Sequence, residues 1–154
     1  MHPNNHKTTM YGRFAVMMAL SFALMFAFMY AMVDRLANVY PNLNQAYMAG
    51  LMVAPMAVLE MGLMGAMYAN KRINMLVIAA SLLLLLLCWF GIRDQFAVGD
   101  KSFLRSMIPH HAGAILMCNQ ATISDSEIRK LCAGIVKSQQ QEIDQMKGIL
   151  QRLP

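Results

Sequence analysis

Five side chains toward the C-terminus have the chemistry to hold a soft metal ion. Met107, His110, His111, Met117 and Cys118 supply thioether, imidazole and thiolate groups, the donors that bind soft and borderline metals. At about 100° per residue they fall within one arc of roughly 120° on a helix. His110 and Met117 share one edge of that arc; Met107, His111 and Cys118 share the other. Adjacent histidines splay by about 100°, so they do not grip one ion as a pair four residues apart does. Either one ligates and the other supports it, or each serves a different ion or subunit. Downstream, the stripe Ile128, Leu131, Ile135, Gln139, Glu142, Met146, Ile149 is apolar except at Gln139 and Glu142. A carboxylate on such a seam is costly unless it is paired or coordinates something. A contact from Glu142 to a histidine would orient the imidazole, as outer partners of metal-bound histidines do. The same residues equally suit a buried polar network that fixes register in a bundle, with methionine as core filler. A di-iron site is disfavoured, because it needs several glutamates and a Glu-x-x-His pair.

Two helices must position these groups. Asp100 or Ser102 can cap a helix running to about Thr122, and Ser124-x-x-Glu127 reads as a capping box opening a second helix to about Leu150. So short a turn makes them antiparallel neighbours. Pro109 leaves the carbonyl of Arg105 without its helical donor. The apolar stripe is too thin for an independent core, which favours dimerisation into a four-helix bundle. Cys118 and Cys132 are the one pair available for a disulfide, since Cys88 lies in an apolar run.

Composition places that pair beside a membrane. The 154 residues are 58% hydrophobic and 14% charged, too apolar for an ordinary soluble domain. Phe14–Val33, Ala46–Ala69 and Ile73–Ile92 are each long enough to cross a bilayer, and of all the charged residues only Glu60 lies inside one. The first run is too long for a cleaved signal and reads as a signal anchor. Lys7, Arg13, Lys71 and Arg72 would share the cytoplasmic side, leaving Asp34–Arg35 and everything from Arg93 onward outside it. The net charge of +5 is spread over loops and helix ends, which argues against nucleic acid as a partner. Of the 17 methionines, Met18, Met25, Met29 and Met32 form one stripe on the first span. Met48, Met52, Met56 and Met64 recur every four residues with Glu60 on the second. Adaptable packing, lipid contact and a thioether ladder for Cu(I) all fit those stripes. Glu60, near the middle of its run, reads as functional or as bonded to a neighbouring hydroxyl. His2 and His6 read as surface residues.

The sequence Met107-Ile108-Pro109-His110-His111, with Ala114-Ile115 and Met117 after it, and the later run QQQEIDQM from Gln139 to Met146 resemble the domain of unknown function 305 family. This is a ferritin-like helical family whose periplasmic members include copper-binding CopM-type proteins. The resemblance covers about Asp100–Leu150, and Asn70-Lys71-Arg72 between apolar runs resembles its membrane-anchored members. It implies Met107, His110, His111, Met117, Glu142 and Met146 as metal-site positions, with Cu(I) as the favoured ion. Cys118 is not part of that motif. A single hairpin, where soluble copper-binding members carry two, points again to a dimer.

The expected protein is therefore all-α: three transmembrane helices followed by an extracytoplasmic helical hairpin, a ferritin-like half bundle completed by dimerisation. Residues 1–13 form a cytoplasmic tail, 14–92 the membrane region, 93–99 a linker and 100–154 the hairpin. It sits in a bacterial inner membrane and binds copper without catalysing a reaction. The alternative is an accessory subunit of a larger membrane complex, in which the His/Glu network serves packing alone.

Overall fold

The computed structural model describes residues 4–154, with side chains from Met10 onward; His2 and the side chain of His6 lie outside the described residues. Five α-helices run through it: α1 (Asn4–Phe28), α2 (Leu43–Leu63), α3 (Lys71–Arg93), α4 (Asp100–Gln120) and α5 (Ser126–Arg152). No strand is present among the described residues. Three segments, Met10–Met32, Leu43–Leu63 and Lys71–Arg93, are long and apolar enough to cross a membrane. The chain divides into two compact units, Met1–Phe28 with Ala46–Ala97, and Met29–Gln45 with Val98–Pro154.

The first unit is centred on Phe14, Ala57, Met61 and Tyr68, contributed by α1, α2 and the α2–α3 connection, with Val77 and Ile78 of α3 against them. Two glycines let α2 and α3 approach closely. A Cβ on Gly50 would stand 2.6 Å from the Cys88 sulfur, and one on Gly91 would stand 2.9 Å from the Tyr47 ring. At the other end of these helices the Tyr11 hydroxyl donates to Asn74 Oδ1 at 2.7 Å. Asn70 Oδ1 accepts from the amides of Arg72 and Ile73, capping α3. The start of α1 is thereby tied to the α2–α3 connection.

Glu60 sits elsewhere than mid-span. Glycine is a poor helix former, and with Gly62 and Gly65 in the stretch the α-helix ends at Leu63. Glu60 is therefore in the last turn of α2, where its carboxylate accepts from the Tyr68 hydroxyl at 2.9 Å. The four-residue methionine stripe faces outward: Met48, Met52, Met56 and Met64 are exposed, whereas off-stripe Met61 is buried.

In the second unit α4 and α5 pack side by side. Leu104, Ile108, Ala112 and Ile115 of α4 meet Ile143 and Met146 of α5, with Val136, Ile149 and Leu150 adjoining. The expected seam through Ile128 and Leu131 is displaced, since both are exposed. Cys118 and Cys132 form a disulfide, which turns the face of Cys132, Val136, Ile143, Met146 and Leu150 toward α4. Asp125, rather than Ser124, caps α5: its carboxylate accepts from the amides of Glu127 and Ile128, both at 2.9 Å. Gly99 precedes α4 as its cap.

The segment Met29–Gln45 belongs to this unit as well. Val33 and Tyr40 pack on the α4–α5 core. Lys147 Nζ donates to fully buried Asn38 at 2.5 Å, and the Asn42 amide reaches the Arg105 carbonyl at 3.4 Å. That carbonyl is the one freed by Pro109, so its lost helical partner is supplied from outside the helix.

Candidate metal centre

His111 is the buried histidine of α4. Its Nδ1 lies 2.9 Å from the Met107 carbonyl oxygen one turn earlier, and its Nε2 lies 2.6 Å from Glu142 Oε2 on α5. A carbonyl only accepts, so Nδ1 carries a hydrogen and donates it. The short Nε2–Oε2 contact then holds one further proton, on the imidazole or on the carboxyl. Both ring nitrogens are thus engaged by the protein. Glu142 spans two environments, with one oxygen on a buried ring and its side chain 49% exposed.

The other expected ligands separate into two groups. Met146 is buried in the α4–α5 core, and Met107 is half-buried against it. His110 and Met117 are exposed. The His110 ring stands edge-on to His111 with centroids 6.0 Å apart. The structure therefore gathers Met107, His111 and Met146 on the inner side of the pair with Glu142 at its rim, and leaves His110 and Met117 on the solvent side. All six do not converge on one point. No group of three His, Cys, Asp or Glu side chains is arranged to hold a metal among the described residues.

The donor set still fits a soft ion in part. Met107 and His110 are three residues apart, so the half-buried thioether and the exposed imidazole lie about one helical turn from each other, and thioether with imidazole suits Cu(I). His111 does not fit as a ligand while Glu142 and the Met107 carbonyl occupy its nitrogens. Its geometry is that of a latch, joining α4 to α5 beside the exposed imidazole.

The sequence pattern anticipates a contact between Glu142 and a histidine, and the structure gives that contact to His111. Sequence reasoning missed Asn38 and Asn42. Nothing in their local pattern marks them, because their partners, Lys147 and the Arg105 carbonyl, are distant in sequence. Pro109 was the available signal: a freed carbonyl at Arg105 demands a donor from some other segment.

Residues 31–150 match the family described as Domain of unknown function (DUF305). The match is much wider than the C-terminal pair alone, and it begins close to Met29, where the second compact unit begins. A relative named Uncharacterized protein L153, from Acanthamoeba polyphaga mimivirus, is 31% identical over 119 residues, covering 76% of each chain. No solved structure matches. From residue 31 to residue 150, then, the chain belongs to the family described as Domain of unknown function (DUF305).

Proposed function

We propose that this protein is a membrane-anchored, non-catalytic metal-binding protein, and that α4 and α5 lie outside the cytoplasm and bind Cu(I) for storage, tolerance or transfer. The observation that carries the reading is the exposed His110 imidazole, about one helical turn from the half-buried Met107 thioether and beside a histidine latched to the opposite helix. Met107 and His110 would hold the ion, with Met117 further along the exposed edge. His111, Glu142 and Met146 would keep the two helices in register beneath it. Two donors leave a soft ion under-coordinated, so a second copy of the chain would complete the shell. The exposed apolar side chains Met117, Ile128 and Leu131 supply a surface for that copy.

Three features support the placement. Three helices have the length and apolarity of membrane spans. The Met29–Gln45 segment packs on the α4–α5 pair within one unit, so both share one side of any membrane. A disulfide belongs to an oxidising compartment. A bacterial inner membrane, with the N-terminus cytoplasmic, is the setting that these features and the charge pattern favour.

The second reading, an accessory subunit whose His/Glu network only packs, draws on one observation: both His111 nitrogens are already satisfied. Titration of Cu(I) against a competing chelator, anaerobically in mild detergent, separates the two. On the metal reading His110→Ala and Met107→Ala each weaken binding by about tenfold or more, equivalent to about 1.4 kcal/mol. Unchanged affinity in both, and in His111→Ala, leaves the accessory reading standing.

A further inference from the structure

A second pair of soft donors lies away from His110. Cys118 and Cys132 are half-buried and their Cα atoms are 5.3 Å apart. They open onto a groove of about 520 Å³ whose lining includes Arg129 and Lys137 and no carboxylate. A disulfide that served only to staple two helices would have no need of an open groove or of cations beside it. Cations next to a cysteine stabilise its thiolate, the form that binds metals and exchanges with disulfides. The pair therefore has the surroundings of a reactive site as well as of a staple.

We propose that Cys118 and Cys132 form a redox-gated site for a soft monovalent cation, closed as the disulfide and opened by a dithiol reductant. In the opening step a thiolate of the reductant attacks one sulfur and the Cys118–Cys132 bond breaks. The reductant's second thiol then displaces the mixed disulfide, and two protons and two electrons pass to the protein. The reductant leaves as its own disulfide, and the protein holds two thiols. Cu(I) then displaces both thiol protons and is held between two thiolates, its oxidation state unchanged. The resulting bis-thiolate unit carries one net negative charge, opposite in sign to Arg129 and Lys137, which line the same groove. Thiolate is the softest donor in the chain and selects Cu(I) over harder ions. The site uses neither His110 nor Met107, so it stands or falls independently of the function proposed above.

The test compares two forms of the full-length protein in mild detergent. One is oxidised; the other is reduced with dithiothreitol, which is then removed anaerobically by gel filtration. Both are titrated with Cu(I) against a competing chelator. The reduced form is expected to take up one equivalent more than the oxidised form, with an ultraviolet thiolate-to-copper charge-transfer band. The Cys118→Ser/Cys132→Ser double variant is expected to lose that equivalent while keeping Cys88 as an internal control. Alkylation of the reduced wild-type chain with iodoacetamide should remove the same equivalent, and it does not depend on a variant folding. Equal uptake by the two forms overturns the proposal, as does an extra equivalent that survives both the double variant and alkylation. Loss of binding in His110→Ala with the reduction-dependent equivalent intact would mark the two sites as separate.

Discussion

His111 and Glu142 form a contact whose strength depends on both partners accepting one proton count. The buried ring needs a partner at Nε2, and truncating Glu142 leaves that nitrogen to whatever water can reach it. Because the carboxylate is half open to solvent, water replaces part of the lost contact. Glu142→Ala is thus expected to cost about 1 kcal/mol, toward the low end for an orphaned buried group. Glu142→Gln should cost less, since an amide N–H can donate to Nε2 of a neutral ring whose Nδ1 keeps its hydrogen. Thermal unfolding followed by circular dichroism checks the order; equal losses in the two variants would show that the hydrogen bond contributes little. Asn42→Ala is a companion case. It removes the donor to the Arg105 carbonyl and should cost about 1 kcal/mol, a loss that Asn42→Asp, which cannot donate when ionised, should not recover.

At the scale of the helices, the start of α5 separates two readings of one sequence. Ser124-x-x-Glu127 has the spacing of a capping box, yet Asp125 performs the capping. Asp125→Ala is expected to destabilise the α4–α5 unit by about 1 kcal/mol, and Ser124→Ala to leave it within a few tenths. The reverse ranking in urea unfolding would restore the capping box. Helix existence was legible in the sequence because period and length are local properties: each of the five helices overlaps one of the expected stretches, although α1 runs from Asn4 to Phe28 rather than from Phe14 to Val33. Helix rotation was not. The stripe through Ile128 and Leu131 and the one through Cys132 and Val136 lie on adjacent faces of α5. The amphipathic pattern alone does not choose between them, whereas the bond to Cys118 does. Glu60 shows the same limit: an apolar run from Ala46 to Ala69 reads as continuous, but the α-helix ends at Leu63 and puts the carboxylate in its last turn.

For the molecule as a whole, the proposed function turns on which side of a membrane α4 and α5 would occupy. Leu36 is 90% exposed in the segment that joins the second unit, Lys101 is exposed at the start of α4, and Lys71 is exposed at the start of α3. Single cysteines introduced as Leu36→Cys and Lys101→Cys should react together with a membrane-impermeant maleimide applied to intact cells, while Lys71→Cys stays protected until the cells are opened. Labelling of Lys71→Cys with the other two protected would invert the topology and place the disulfide in a reducing compartment. The family, the all-helical class and the three apolar runs were fixed by the sequence itself, because composition, hydrophobic period and the MIPHH and QQQEIDQM patterns are properties of neighbouring residues. The tertiary structure alone decided that His111 rather than His110 meets Glu142, that Asn38 and Asn42 anchor the first connection to α4 and α5, and that Met117 and His110 face outward. Each of those outcomes depends on how two helices are rotated against each other and on which distant segment satisfies a buried polar group. Neither is encoded within the span of a single element.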